Sequence, residues 1–523
     1  MNEEIQFINY VDYNDQNEMF VRKPVEVKPH PFKENFLVFF VATLIHAILY
    51  AVSVYQNPAG FAYGVYIACA IGYVVFCFKK LGLHIKKGSI FYMVAMAILG
   101  IATFCTDNDN IIIMNRGGIF ILTFVFVLDN MCDTTGWKFG KYISAAMQVG
   151  IMALGEIAAP LENAYDYFFN RKEKLNYKYI YTLIGCVISI PVVAFAMILL
   201  SSADIVFKQW TVNIFGKISI SGLIGMFVLF AIMFMASYCV LSYLVKNEIN
   251  CKRENATKIE ALIAIPVALI LTLVYVIFSG IQVAYLFVGE FELPAGYTYA
   301  EYAREGFFQL LAVAVFNLII VLVCMEFVNK SNILKVILTV MSCCTFVMIA
   351  SSAVRMITYI RFYYLTFLRI FVLWSLLVLF VVFIGVIIHI YKDSFPIFKY
   401  IMVVVTSLYI CLAFSQIDYF IAKVNLSYTD GNESEFFLGE CFDDYSFLDD
   451  ISTDAAPAVA EWMESKGYIY DSEHVYIYDA YLMDFTPEEY GKNYMSMIAK
   501  ETEDMGIRKF NVSKYRAKLL LGE

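Results

Sequence analysis

Residues 296–309 read Gly-Tyr-Thr-Tyr-Ala-Glu-Tyr-Ala-Arg-Glu-Gly-Phe-Phe-Gln and run directly into an apolar stretch that ends near Phe327. Thr298 and Glu301 have the spacing of a capping box, in which each side chain satisfies a free backbone N–H at a helix start. From Phe307 the chain stays apolar for about twenty residues, long enough for a helix to cross the hydrocarbon core of a bilayer. The stretch therefore predicts a helix that begins at a membrane surface and then spans the membrane.

The polar and aromatic residues of this helix start are typical of a membrane boundary. Tyr297, Tyr299 and Tyr302 stand where an aromatic belt is expected. The other polar side chains are predicted at the water boundary of the span, where a charge costs less free energy than at the bilayer centre. They are Glu301, Arg304, Glu305 and Gln309.

The composition of the whole chain indicates a membrane protein. Of its 523 residues, 60% are hydrophobic and only 16% are charged, and the mean hydropathy is +0.67. A soluble globular protein of this composition would expose a large apolar surface. The formal net charge of −9 is unevenly distributed, because residues 415–523 hold 9 Lys/Arg and 22 Asp/Glu. This asymmetry predicts a polytopic transmembrane domain over residues 36–414 and an acidic soluble C-terminal domain over residues 415–523.

Apolar runs of spanning length divide the transmembrane domain into helices. Eleven such runs lie at residues 36–55, 61–78, 89–105, 111–128, 179–200, 219–244, 259–280, 307–328, 333–352, 370–391 and 397–414. A twelfth run, Tyr142–Ile157, is interrupted by glycine and carries Gln148 and Glu156, so an interfacial or re-entrant helix fits it equally well. The predicted fold class is an all-α polytopic membrane protein of about 11–12 transmembrane helices, with a small, mainly helical C-terminal domain.

The distribution of basic residues predicts the orientation of the chain. With eleven spans and residues 1–35 as a cytoplasmic N-terminal segment, the inner segments carry 22 Lys/Arg and the outer loops carry six. If Tyr142–Ile157 also spanned the membrane, this bias would reverse over most of the chain, against the positive-inside rule. We therefore expect a multi-pass cell-membrane protein in which Tyr142–Ile157 does not span and the C-terminal domain is extracytoplasmic.

Local signals predict helices within the C-terminal domain. The segment from Ser452 to Glu464 is typical of a capped helix, which Gly467 would end. Thr486 followed by Pro487 and two glutamates is a strong helix start, with a side-chain cap, proline at the first helical position and carboxylates at the positive end of the helix dipole. Val475–Tyr478 alternates as a short strand would, but an aromatic helix edge fits it equally well.

Two motifs resemble a known family. Tyr297–Leu310 and Ala353–Arg369 are similar to the signature segments of domain of unknown function 4173, a bacterial multi-pass membrane family of unknown function that is related to domain of unknown function 4153. In the second motif, Tyr364 stands where that family has glycine. Two further segments, Gln416–Asn425 and Lys509–Ala517, resemble the segment that follows the family's last span and its closing motif. The resemblance extends over most of the chain after its first third, and it implies a fold family but no activity.

The predicted topology places three polar segments on the outer face, where they form a candidate ligand site. An arginine guanidinium matches the oxygens of a phosphate, so arginines there are candidates to bind an anion such as a lipid phosphate. The alternative is structural, because arginines at helix ends reach water or pair with neighbouring carboxylates and hold helices together. The candidate residues are Asp204, Glu301, Arg304, Glu305, Arg355, Arg361 and Arg369.

Other ionisable residues have two interpretations each. Glu301, Arg304 and Glu305 would suit a proton or cation path, or they form only a helix cap and a surface pair. Four more ionisable residues lie in or beside apolar runs, where an intramembrane function competes with an interfacial or interhelical role. Three of the four lie within a turn of a predicted span end, which favours the interfacial role, and the fourth lies deeper: Glu260, Glu326, Asp129 and His46.

The sequence carries none of the common catalytic or cofactor motifs. It has no GxSxG, Walker lysine loop, HExxH or Gly-rich dinucleotide turn. Most of the twelve cysteines lie in apolar runs, without a CxxC or Cys/His cluster, so we expect no cofactor and no metal site. We expect no nucleic-acid partner, because the C-terminal domain is acidic and would repel the phosphate backbone. The expected partners are the lipid bilayer and possible protein partners of the C-terminal domain.

Three functions are compatible with these observations. The leading hypothesis is a non-catalytic envelope sensor or interaction scaffold whose C-terminal domain meets a partner outside the membrane. The alternative is a transporter or flippase-like protein for an anionic substrate, although no inverted repeat is visible. A membrane-embedded enzyme is the weaker alternative, because no catalytic motif supports it.

Overall fold

The computed structural model describes residues 35–132, 134, 137, 139–167, 196, 200, 203–204, 220–246, 258–284, 299–431, 445–469, 486–503 and 505–521. The helices before the C-terminal domain are α1 (Phe36–Val54), α2 (Phe61–Lys80), α3 (Ile90–Cys105), α4 (Asp109–Met131), α5 (Phe139–Ala153), α6 (Ala159–Tyr165), α7 (Ile220–Lys246), α8 (Ala261–Val283), α9 (Tyr299–Phe327), α10 (Asn332–Tyr363), α11 (Phe367–Tyr391) and α12 (Ile397–Ala413). The helices that follow are α13 (Ile417–Gly431), α14 (Phe447–Asp450), α15 (Ala456–Lys466), α16 (Pro487–Thr502) and α17 (Val512–Leu520).

The described helices confirm the predicted all-α polytopic fold. Nine of them are long and apolar enough to cross a membrane. Two bent pairs are further candidates: Phe139–Glu156 with Ala159–Tyr165, bent by 51°, and Ile397–Ala413 with Ile417–Ser427, bent by 56°. The first bent pair contains the ambiguous run at 142–157. The predicted span at 179–200 lies almost entirely outside the described residues.

Helix α8 illustrates how these helices present apolar side chains outward. Leu262, Val267 and Ile270 are 79%, 69% and 65% exposed. Side chains of this kind are stable at such exposure when they face lipid. The opposite side of α8 packs on α10 and buries Thr272 and Tyr275. The helix therefore has one face for lipid and one for protein.

The helices pack in two groups that α12 joins. In the first group α1 contacts α2 and α7, α2 contacts α3, and α3 contacts α4. In the second group α8 and α9 pack on α10, which packs on α11 around buried side chains such as Met341 and Phe383. Helix α12 contacts α3 on one side and α11 on the other.

The two ends of the bundle differ in what covers them. We call the end with the α1–α2, α3–α4 and α10–α11 connections the docking face, because the C-terminal domain lies on it. Asn511 of that domain donates hydrogen bonds to Ala59 O and Thr106 O, at 3.1 and 2.8 Å. We call the other end the opposite face. There Lys86, before α3, donates to Cys132 O at 2.6 Å, after α4.

The C-terminal domain shares a hydrophobic core with the bundle. One cluster of buried side chains includes Ala102 of α3 and Ile421 of α13 together with Val459, Trp462 and Ile498 of the C-terminal domain. Burial of apolar surface therefore holds the domain on the docking face in addition to hydrogen bonds. The domain boundary at residue 415 stays a prediction.

The local helix signals of the C-terminal domain are confirmed where they fall on described residues. Helix α15 ends at Gly467, which has a φ of 73° and so uses the left-handed conformation that glycine favours. Helix α16 begins with a capping box between Thr486 and Glu489, and Pro487 is its first residue. Helix α9 begins at Tyr299 as predicted. Thr298 and the Val475–Tyr478 segment lie outside the described residues.

Candidate functional site

Asp418 ties the start of α13 to both the bundle and the C-terminal domain. It follows the bend after α12 and is 3% exposed. Each of its carboxylate oxygens accepts a hydrogen bond of 2.9 Å from Asn108 Nδ2, in the α3–α4 connection. The backbone N–H and the hydroxyl of Ser452 also donate to it, the former at 3.1 Å. A buried carboxylate with this many donors fixes three segments in one arrangement.

Asp454 makes the second buried carboxylate contact of the interface. It lies in a 3-10 turn before α15, and it accepts hydrogen bonds from the Thr106 hydroxyl and from Asp107 N at 3.2 Å. Burial raises the pKa of Asp454 above its ordinary value, although these donors oppose the shift. Thr106 and Asn108 therefore both point carboxylate-binding groups at the C-terminal domain.

Asp107 forms the charged part of the interface. Lys514 Nζ of α17 lies 3.3 Å from Asp107 Oδ1 and 3.1 Å from Glu501 Oε2, and Thr453 Oγ1 donates to Asp107 Oδ2 at 3.1 Å. Burial raises the pKa of Asp107 from its ordinary value of 3.8 to about 7, against the opposing effect of Lys514. For Lys514, burial lowers the pKa, but the two carboxylates outweigh it and raise the pKa.

Asn511 and Arg508 bind backbone groups of the docking face. The side chain of Asn511 is 1% exposed, and its oxygen caps α17 by accepting from Ser513 N and Lys514 N. Arg508 donates to Val52 O and Tyr55 O, at 2.9 and 2.8 Å. Gly60 is required beneath this contact, because a Cβ there would collide with Arg508 O. The C-terminal domain thus binds the backbone carbonyl groups in and beside the α1–α2 connection.

This interface can couple the C-terminal domain to the helices. Asp418 and Asp454 accept hydrogen bonds from Asn108 and Thr106 of the α3–α4 connection. Asp107 of that connection contacts Thr453 and Lys514 of the C-terminal domain. Within the described part of the chain, no group of three or more His, Cys, Asp or Glu side chains is placed to hold a metal ion. The interface is held by hydrogen bonds and by the pair of Asp107 with Lys514.

Two of the predicted arginines, Arg369 and Arg355, make separate contacts within the bundle near the docking face. Arg369 lies 4.5 Å from the ring centre of Tyr359 and donates to Tyr363 O and Tyr364 O, so it closes the end of α10. Arg355 lies one turn before Tyr359 and donates to Gln282 Oε1 of α8 at 3.3 Å. A Cβ at Gly306 of α9 would collide with the Arg355 guanidinium. Both arginines therefore contact other parts of the bundle.

The remaining predicted site residues lie apart from this pair or outside what can be described. Arg361 is exposed near the end of α10. Asp204 is exposed, in a short described segment. Glu301, Arg304 and Glu305 belong to the first turns of α9, and their side chains lie outside the described residues. The single outward vestibule stays a prediction.

The comparisons with known proteins identify the family of the chain. A family model described as "Domain of unknown function (DUF4153)" matches residues 93–462. The chain belongs to this family. No curated protein and no solved structure matches the chain. The matched region of this DUF4153 protein contains Asp107, Asp418 and Asp454, and it ends before Asn511.

Three other ionisable residues of the DUF4153 protein lie at helix ends or between helices. Asp129, 1% exposed at the end of α4, accepts from Lys399 Nζ at 2.8 Å and from Ser89 and Thr134 hydroxyls. Glu326, near the end of α9, accepts from the backbone N–H of Gly140 at 2.9 Å. His46 stacks on Tyr73, with ring centres 4.4 Å apart. These contacts fit interfacial and interhelical roles.

Sequence reasoning missed the interface residues of this DUF4153 protein. Two of the motifs that carry the family resemblance contain some of them. Gln416–Asn425 includes Asp418, and it also includes Asn425, which exchanges two hydrogen bonds with the backbone of Leu365. Lys509–Ala517 includes Asn511 and Lys514. The family motifs in these two segments, which contain no catalytic motif, were the signal from which an interdomain contact could have been predicted.

Proposed function

We propose that this DUF4153 protein is a non-catalytic membrane sensor or interaction scaffold. The observation that carries the proposal is the hydrogen-bonded and hydrophobic interface between the C-terminal domain and the docking face. A change in the domain, such as binding a protein partner, would reach the helices through Asp418 and Asp454. A change in the helices would reach the domain by the same route, since coupling between two sites is reciprocal.

The C-terminal domain is proposed to lie outside the cytoplasm. The bias of Lys and Arg toward the other loops supports this orientation. The contacts of Asn511 with the α1–α2 and α3–α4 connections also support it, because both connections are predicted on the outer side. The domain would then meet an extracytoplasmic protein partner.

We propose that the chain is also related to domain of unknown function 4173. The backbone of Tyr364 supports this assignment, with φ of 67° and ψ of 177°. Glycine adopts that conformation far more readily than other residues, and glycine is what the 4173 pattern has at this position. The second motif therefore retains the backbone of the pattern despite the substitution.

In-cell cross-linking of three forms of the chain tests the scaffold function. The forms are the wild type, a form with Asp418→Ala and Asp454→Ala, and a control with Glu464→Gln on the exposed side of α15. A scaffold predicts one defined cross-linked partner in the wild type and in the control, and its loss from the interface variant although that variant still inserts. An identical partner profile in all three forms would refute the proposal.

Transport of an anionic substrate is the second candidate, and the position of Arg355 favours it. Its guanidinium is partly buried between α8, α9 and α10, where a charge is expensive and often functional. Transport predicts that Arg355→Ala abolishes movement of an anionic solute or lipid in proteoliposomes, while Arg361→Ala, on the exposed side, does not. Equal activity of the two variants would exclude this role for Arg355.

A further inference from the structure

A large cavity opens at the opposite face, away from the C-terminal domain. Its volume is about 720 Å³, within the usual range for a small-ligand site. It is lined by the end of α9, the start of α10, the end of α11, the start of α12 and the start of α5. Segments far apart in sequence thus converge on one concave surface.

The charges of this cavity are mainly positive. Two carboxylates, Glu326 and Asp393, face five lysines, which are Lys141, Lys258, Lys330, Lys335 and Lys399. Asp393 pairs with Lys330, whereas Glu326 accepts from the backbone of Gly140 and keeps its negative charge, so the lining stays net positive. Lys399 is also neutralised, through its pair with Asp129.

Three lysines of the cavity make no ion pair with a described carboxylate, although Lys335 is close enough to Asp393 to interact with its charge. Among the described residues, no carboxylate lies within 4.0 Å of the ammonium groups of Lys141, Lys258 or Lys335. They come from three different segments: α5, the residues before α8, and α10. Basic residues are common in inner loops, but loop lysines on a flat surface can move apart. Here the walls of one cavity hold them around a common space, which favours an anion between them.

An aromatic wall lies beside the lysines. The rings of Tyr142 and Phe398 stack at 3.7 Å with an angle of 8° between their planes, and Trp137 meets Tyr142 edge-on at 5.1 Å. The indole N–H of Trp137 is buried and has no acceptor among the described residues. The cavity therefore combines cationic donors, one unsatisfied N–H donor and an apolar wall.

We propose that this cavity binds a phosphate-bearing anion. Lysine ammonium groups are point charges suited to phosphate oxygens, and the aromatic wall suits the carbon skeleton that carries the phosphate. The phosphate belongs either to the headgroup of an anionic lipid or to a soluble phosphate ester. The site is independent of the proposed sensor function, because it lies at the other end of the bundle.

The test uses the full chain in phosphatidylcholine nanodiscs and follows Trp137 fluorescence. One arm adds glycerol 3-phosphate to the solution, and the other replaces part of the phosphatidylcholine by phosphatidylglycerol. Saturable binding of glycerol 3-phosphate would identify the ligand as a soluble phosphate ester. A saturable change with phosphatidylglycerol would identify it as a lipid headgroup. Trp137→Phe must remove the signal. No saturable change in either arm would overturn the proposal.

Matched charge variants decide whether the cavity itself is responsible. Lys258→Gln with Lys335→Gln should weaken binding roughly 30-fold, at a contribution of about 1 kcal/mol for each lysine. Lys258→Arg with Lys335→Arg should retain binding, which shows that the sites tolerate substitution. The control is Lys79→Gln with Lys80→Gln, which removes the same charge from the exposed end of α2 outside the cavity. If the control weakens binding as much as the cavity variant, surface charge alone is responsible and the proposal is wrong.

Discussion

Replacing Asn511 by alanine should loosen the C-terminal domain from the docking face. The change removes two hydrogen bonds to the carbonyls of Ala59 and Thr106, each contributing about 1 kcal/mol. It also removes the cap of α17, which contributes about 1 kcal/mol. Because Asn511 is 1% exposed, water does not replace these bonds easily. The expected loss is therefore roughly 2 kcal/mol of docking free energy and about 1 kcal/mol of α17 stability, so the protection of α17 should fall by roughly 3 kcal/mol in all.

Amide hydrogen exchange of the purified full chain measures this loss directly. A loss of roughly 3 kcal/mol corresponds to a more than hundredfold increase in exchange rate for the protected amides of α17. Asn511→Ser separates the two contributions, because its hydroxyl oxygen can still cap α17 while the amide N–H donors are lost. It should therefore show a smaller increase than Asn511→Ala.

The matched control is Asn493→Ala in α16. Asn493 donates one exposed hydrogen bond, to Asp449 at 3.2 Å, so its removal should cost at most about 0.5 kcal/mol. If Asn511→Ala changes exchange less than roughly threefold, the interface does not hold the domain as described. The same follows if Asn493→Ala has an effect of equal size.

Three further predictions concern other parts of the protein. Asp107 of the bundle binds more protons in the docked state than in the undocked state between pH of about 4 and about 7, so docking should weaken as the pH rises through that range. Lys514 stays charged there, and Asp107→Asn should reduce the pH dependence measured by hydrogen exchange without abolishing it, because the pKa of Asp454 is also raised; docking that strengthens with pH would contradict this. The free energy of unfolding of Tyr364→Gly should exceed that of Tyr364→Ala by about 1 kcal/mol, and its melting temperature should be higher. Both variants remove the ring, but only glycine adopts this backbone conformation without strain. Equal melting temperatures would exclude strain at this position. Lys399→Met should destabilise the protein by about 3 kcal/mol because it leaves Asp129 buried and unpaired, and adding Asp129→Asn should recover part of the loss in a denaturation series; fully additive losses would show that the two residues are not coupled.

The helices were predictable because their signals are local. An apolar run of spanning length or a capping box such as Thr486 with Glu489 needs only neighbouring residues, and the structure has both. The bend after α12 was not predicted. It places Asp418 under Asn108, a residue 310 positions earlier, and no local pattern encodes a contact over that separation.

The candidate sites show the same division. Sequence reasoning grouped the outer arginines from their topology, but the structure places Arg369 on Tyr359, Arg355 on Gln282 and Arg361 at an exposed position. The lysines at the opposite face were recognised only as an orientation signal. Their convergence on one cavity depends on how α5, α9 and α11 meet, which the positions of Lys141 and Lys258 in the sequence do not reveal.

Retention of the C-terminal domain after cleavage of the chain tests the docked arrangement most directly. A protease recognition site is placed between residues 432 and 444, the purified membranes are treated with the protease, and the fragment that begins near Tyr445 is followed after a high-salt wash. The shared hydrophobic core and the uncharged bonds of Asn511 resist salt. The fragment should therefore stay with the membranes in the wild type and dissociate from them faster in Asn511→Ala. Release of the wild-type fragment would contradict a C-terminal domain that is docked on the helix bundle.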